Sequence, residues 1–307
     1  MSELLAEESV VEAKSAAGTR LGSGSALLAI FVTALWGTNP TALKIALRGL
    51  PPIGSSGLRF AIAAIGVWVW CRLKRVPVMP RPGEGRWLTV IAAFFIVQIA
   101  TFTLGVYWGT AGHSIVLLHT YPFFVVALAH FLIPGERAST GKVVGLVAAF
   151  SGVVALFAGE WGSWQGTQLL GDGVQLFSAL VLGTQVVYLK HALVRVDANR
   201  VVLWQMVAAG AVFLGYSFGF EGLARARPGV EEASVVIYQG LVIGALCFTI
   251  WTWLIEKHAA SRVAIFGFVA PLVGVGLSAV ALGERLTPAL LVSAALVAVG
   301  IVFANRF

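Results

Sequence analysis

Ten stretches of this chain are each apolar enough and long enough to cross a lipid bilayer. They lie at roughly 24–47, 53–72, 86–106, 111–133 and 141–158, then at 171–191, 200–220, 234–255, 260–282 and 289–305. A helix needs about 20 apolar residues to span the hydrocarbon. No water is available there to satisfy a backbone amide, so only helices and closed barrels are viable. No stretch alternates with period two over about ten residues, which argues against a barrel. The expected fold is therefore an all-α membrane protein of ten transmembrane helices. The connecting loops are too short to hold a soluble domain. Residues 1–20 are polar, with Glu3, Glu7, Glu8 and Glu12, and read as a disordered tail. They lack the basic start of a cleavable leader, so the first stretch reads as an uncleaved helix.

The chain also repeats itself. Gly37 to Leu47 reads GTNPTALKIAL and Gly183 to Leu193 reads GTQVVYLKHAL, with Gly, Thr, Leu, Lys, Ala and Leu in register at an offset of 146. Gly135-Glu136-Arg137 and Gly283-Glu284-Arg285 each close an apolar stretch, 148 apart. Two matches at nearly one offset argue for duplication, with halves at 21–159 and 168–307. Five helices per half is an odd number, so the second half must enter the membrane in the opposite sense. The expected architecture is a pair of inverted five-helix repeats, and in carriers built this way the substrate site lies where the repeats meet.

Charge supports this reading. Charged residues are 11% of the chain, against about 25% in soluble domains. The net charge of +7 forms no single stripe, which excludes a nucleic-acid partner. Arg72, Lys74, Arg75, Arg81 and Arg86 follow the second stretch, Arg195 and Arg200 the sixth, and Lys257 and Arg262 the eighth. These loops fall on one side of a ten-helix topology, which places both termini in the cytoplasm and the protein in the cell (inner) membrane. Arg225 and Arg227, among acidic residues on the opposite side, are the exception. Cys71 and Cys247 form neither a disulfide framework nor a metal motif, and no cofactor is implied. Gly-x-x-x-Gly at 105/109, 141/145, 215/219 and 240/244 reads as packing between helices of one chain.

A family resemblance rests on these residues. Trp36-Gly37-Thr38-Asn39 followed by Lys44, Leu58-Arg59-Phe60, and the pairs Pro122 with Gly135-Glu136-Arg137 and Pro271 with Gly283-Glu284-Arg285 resemble the motifs of the drug/metabolite transporter superfamily, in its ten-helix EamA-like branch. The resemblance spans about 24–307. It implies export of small metabolites, often amino acids or related compounds, by a carrier that uses no ATP. The chain departs from symmetry where Gln205 stands opposite Arg59 and Val186 opposite Pro40.

Polar and aromatic residues inside the stretches are the candidate substrate-binding set: Trp36, Thr38, Asn39, Arg59, His119, Tyr121, Gln175, Gln185 and Trp251. Arg59 lies too deep to snorkel, and its guanidinium fork could hold a substrate carboxylate or pair with helix-end carbonyls. Lys44 and Lys190, near helix ends, read as snorkelling. Pro40 should kink the first helix, leaving Thr38 and Asn39 to meet substrate or to satisfy freed backbone. Pro122 and Pro271 should kink the fourth and ninth. His119 is the proton-coupling candidate, with a hydrogen-bonded interior histidine as the alternative. His113, His119 and His130 are wrongly spaced to chelate one metal ion. Trp36, Tyr121 and Trp251 lie deep enough to line a cavity, with Gln98, Gln175 and Gln185 as polar anchors, whereas Tyr107, Trp108 and Trp161 fit an interfacial belt. The expected partners are a small-molecule substrate, the lipid bilayer and protons. No Walker A pattern and no nucleophile–base set occur, so the chain reads as a secondary exporter and not as an enzyme. A non-transporting scaffold or sensor is the competing class.

Overall fold

The computed structural model describes residues 22–300 other than 134–135, 137–138, 159–165, 285–287, 289–290, 293–294 and 297–298. Among the described residues every regular element is helical and no strand occurs. Eight of these helices are long and apolar enough to cross a membrane: α1 (Ser23–Ala46), α2 (Pro52–Leu73), α3 (Gly85–Trp108), α4 (Ala111–Leu132), α6 (Gly166–Ala192), α7 (Ala198–Glu221), α8 (Val230–Lys257) and α9 (Ala260–Leu282). Between α4 and α6 lies α5 (Thr140–Ala158), of 19 residues. The tenth apolar stretch is described only at 291–292, 295–296 and 299–300, which are helical. The chain is a multi-pass membrane protein.

Proline positions set most of the breaks. α1 is two helices in line, Ser23–Gly37 and Asn39–Ala46, and Pro40 opens the second, where its missing N–H is no loss. α4 divides at His119 and Thr120 into Ala111–Leu118 and Tyr121–Leu132, again with Pro in the first turn. In α9 a 3-10 turn at Phe266–Phe268 precedes Val269–Leu282, which holds Pro271. α6 has Val186 where α1 has Pro40, and it runs unbroken over 27 residues. α8 has no proline, yet its middle, Gln239–Cys247, is π-helical. Hydropathy carries no signal for that widening, which shifts the register of every side chain beyond it.

The helices pack in matched pairs. α1 lies on α9 as α6 lies on α4, α2 on α8 as α7 on α3, and α3 on α6 as α8 on α1, while α2 pairs with α7 and α4 with α9. The repeated glycines sit at two of these crossings. A Cβ on Gly37 would come within 2.6 Å of the Ala270 carbonyl oxygen, and one on Gly183 within 2.5 Å of the Phe124 Cβ. Lipid supplies no hydrophobic force between helices, so such close approach at small residues is how they adhere. Gly240 and Gly244 likewise meet Ile62 and Ala63 of α2, and Gly105 meets Gln175 of α6. Gly215 and Gly219 differ from the expected packing role, because nothing lies within 4 Å of either. Gly183→Ala should therefore lower stability by about 1–3 kcal/mol through overpacking. Gly215→Ala should be neutral or stabilising by up to ~1 kcal/mol, since alanine is the better helix former. Thermal unfolding in detergent compares the two, and equal losses would contradict the crossing assignment.

Helix ends are tied across the molecule by carboxylates. Glu136, after α4, accepts from the Ala260 and Ser261 amides at 2.9 and 3.0 Å, at the start of α9. Glu284, after α9, accepts from the Ala111 and Gly112 amides, both at 2.9 Å, at the start of α4. Each of these two helices thus begins beside the other's end, so α4 and α9 run antiparallel. Glu221, ending α7, accepts from Ile53 and Gly54 at the start of α2. First-turn amides have no partner within their own helix, and a carboxylate also suits the positive end of the helix dipole. The lysines do the converse. Lys190 Nζ donates to the Ile255 and His258 carbonyls at 2.9 and 2.8 Å, and Lys44 Nζ reaches the Tyr107 carbonyl at 3.5 Å. Both repeated lysines act on the end of a neighbouring helix, where the expectation was snorkelling. Arg200, expected as a loop charge, is buried against Glu84 at 2.6 Å.

Candidate substrate cavity

A cavity lined by seven of the helices opens within the described residues, with an empty volume of about 890 Å³ including its open side. Its wall takes residues from α1, α2, α3, α4, α6, α7 and α8, so both halves of the chain contribute. Seven of the nine residues singled out from sequence line it: Trp36, Asn39, Arg59, His119, Tyr121, Gln185 and Trp251. Two do not. Thr38 faces α8 instead, bonding the Tyr238 hydroxyl at 2.6 Å and its own Leu35 carbonyl at 2.7 Å. Gln175 is fully buried at the crossing of α3 and α6, beside Gly105. Both sit on the right helices but on faces that meet a neighbouring helix.

The charged feature of the wall is Arg59. Its side chain is 2% exposed, and its guanidinium carbon lies 4.6 Å from the centroid of Phe60 and 5.8 Å from that of Phe102. Nη1 donates to Asn39 Oδ1 at 3.3 Å, while Nε and Nη2 have no hydrogen-bond acceptor. No carboxylate pairs with it among the described residues, and no helix-end carbonyl does either. Gln239 Nε2 donates to the same Asn39 oxygen at 2.8 Å. Asn39 therefore braces a cation, and the backbone freed by Pro40 does not occupy its side chain. Burying a charge without a counter-charge costs several kcal/mol, which side chains on a purely structural surface avoid.

The remaining wall is aromatic and amide-bearing. Trp36 packs 4.9 Å from Trp251 and 5.2 Å from Phe248, and its indole N–H is unpaired. Gln185 Oε1 and Gln239 Oε1 also lack partners. His119 sits at the break in α4, where Nδ1 bonds the Ile115 carbonyl at 2.8 Å. Tyr121, 6.0 Å from the imidazole, donates its hydroxyl to the Ala264 carbonyl at 3.2 Å. Gln98 is held by Ser178 at 3.2 Å. The sequence reading missed Gln205, Gln239 and Thr252 as wall residues. Gln205 was visible as the residue opposite Arg59. Gln239 had no such mark, because its facing depends on the π-helical register of α8.

The EamA-like transporter family model matches residues 23–158 and again 169–306. The chain belongs to the EamA-like transporter family. This EamA-like protein is similar to an uncharacterized transporter, YoaV, of Bacillus subtilis, with 25% identity over 91% of this chain and 95% of that one. It is similar to a "probable amino-acid metabolite efflux pump" of Escherichia coli, at 25% identity over 90% and 92%. It also resembles a "probable terminal-alkyne amino-acid exporter" of Streptantibioticus cattleyicolor, at 26% identity over 90% and 92%. A solved crystal structure superposes with a TM-score of 0.75, covering 93% of this chain and 97% of that one at 20% identity, which speaks to the fold. This EamA-like chain is a membrane transporter of small molecules and not an enzyme.

Proposed function

We propose that the chain is a secondary exporter of small amphipathic metabolites, such as amino acids or related compounds, working by alternating access in the inner membrane. The observation that carries this reading is the central cavity, walled by both halves and holding a buried, carboxylate-free Arg59. The named efflux pump and exporter among its relatives favour amino-acid-like cargo. Trp36, Asn39, Arg59, Tyr121, Gln185 and Trp251 are the substrate-contacting residues of this proposal.

Ten helices in two inverted repeats, 21–159 and 168–307, make up the architecture of the proposal, with the polar tail 1–20 and the C-terminus in the cytoplasm. The antiparallel α4 and α9, with their exchanged carboxylate caps, support the inversion. So do the matched packing pairs. Single cysteines in place of Arg75 and Arg225 should label from opposite faces of the membrane, because one follows α2 and the other follows α7. Labelling from the same face would overturn the inversion.

In this proposal His119 couples transport to protons; its ring in the cavity wall and its Nδ1 bond to a backbone carbonyl support the assignment. Reconstituted into liposomes, the protein should move amino-acid-like solutes at a rate that depends on pH. His119→Ala should flatten that dependence. Flux that keeps its pH profile in the variant would remove His119 from proton coupling, and flux that shows no pH dependence in the wild type would leave facilitated exchange as the mechanism. If no solute from a broad panel moves through folded protein, the exporter reading fails. Comparing metabolites in the medium of cells with and without the protein identifies the cargo.

A further inference from the structure

We infer that the cavity is built for a carboxylate monoanion with an aromatic or bulky apolar body, in preference to a zwitterionic amino acid or a cation. The inference rests on the transport reading above and narrows its substrate class.

The donors come first. Arg59 presents Nε and Nη2 without acceptors, and the Trp36 indole N–H is likewise unpaired. A carboxylate takes a guanidinium edge with two parallel hydrogen bonds. It also supplies the charge that the site lacks.

The charge balance decides between anion and zwitterion. Among the described residues no Asp, Glu or Lys stands in the wall, and the groups there that carry or can gain positive charge are Arg59 and His119. A bound monoanion brings the Arg59 site to neutrality. A zwitterion leaves one positive charge uncompensated, because its ammonium finds no carboxylate there. The wall's side-chain acceptors include neutral amide oxygens, of which Gln185 Oε1 and Gln239 Oε1 are unpaired. These suit a hydroxyl or amide N–H donor. They do not repay the desolvation of an ammonium, which in a low-dielectric site amounts to several kcal/mol. An organic cation meets the same lack and faces Arg59 as well. The mutually tilted rings of Trp36, Trp251 and Phe248 offer an apolar aromatic corner for the rest of the molecule.

The test uses one aryl body with four head groups: 3-phenyllactate, phenylalanine, phenethylamine and 3-phenyllactamide. Binding is read on the intact protein in detergent by quenching of tryptophan fluorescence and by thermal shift. Transport is read as flux in proteoliposomes. Phenyllactate should bind at least about tenfold more tightly than phenylalanine, equivalent to ~1.4 kcal/mol. Phenethylamine and the neutral amide should bind more weakly still. Arg59→Gln should abolish the preference for the acid over its amide. Arg59→Lys, which keeps the charge and loses the fork, should retain part of that preference and guards against a folding defect. Phenylalanine binding as tightly as phenyllactate would overturn the inference while leaving a transporter in place, as would equal binding of the amide. Phenyllactate binding without any flux would leave the inference standing and sink the transport reading.

Discussion

Glu136→Ala is expected to lower the stability of the folded chain by about 3–6 kcal/mol. The carboxylate accepts two backbone amides at 2.9 and 3.0 Å, and the side chain is 7% exposed. A hydrogen bond to a charged group contributes about 1.5–3 kcal/mol, and the two amides that Glu136 caps are buried. Glu284→Ala should also destabilise, though by less: its two bonds to Ala111 and Gly112 match in length, but the site is half-buried and water recovers part of the loss. Glu136→Gln, which keeps one accepting oxygen, should fall between wild type and alanine. Unfolding in graded denaturant, followed by tryptophan fluorescence, orders the three. Losses below about 1 kcal/mol for both alanine variants would show that these contacts do not hold α4 and α9 end to end. The symmetry of the two sites makes the comparison informative: a large loss at one and none at the other would mean that only one helix start depends on its distant carboxylate.

The second large effect is expected at Arg200 and Glu84, the buried ion pair that ties the start of α3 to the start of α7. The pair is 2.6 Å apart, and Arg200 also reaches the Pro77 carbonyl at 3.4 Å. Removing one partner strands the other charge without water, which costs about 3–5 kcal/mol. Arg200→Leu alone should therefore destabilise strongly. The double substitution Glu84→Leu with Arg200→Leu should recover much of the loss, because two apolar side chains leave no orphaned charge. Thermal unfolding of the two single variants and the double closes the cycle. A double variant as unstable as the sum of the singles would show that the pair does not act as a unit.

Much of this molecule was legible from residue order. Eight of the apolar stretches correspond to helices long enough to span, with ends that agree to within about five residues, because hydrocarbon thickness sets their length and backbone hydrogen bonding allows no alternative. Pro40, Pro122 and Pro271 marked the interruptions of α1, α4 and α9, since a ring without an N–H has few places in a helix. Arg59 was recognisable as unusual from its depth alone. Where residue order and the cavity wall part company, the origin is helix rotation. Thr38 neighbours Asn39 in the chain, yet it points at Tyr238 while Asn39 points at Arg59. One residue along a helix is a turn of about 100°, so adjacent positions serve different neighbours. Gln175 lies on a helix that lines the cavity, on the face that meets α3.

Hydropathy, spacing and the duplicated motifs are properties of short windows, and they establish a helical membrane transporter with a deep arginine before any contact is known. Partner choice is a property of how helices rotate and cross. The brace of Asn39 and Gln239 on Arg59 draws on three separate helices, with the π-helical segment of α8 setting the last. The exchanged caps of Glu136 and Glu284 join residues more than a hundred positions apart. No local pattern encodes such meetings, because they depend on helix rotation, which becomes definite when the whole bundle has packed.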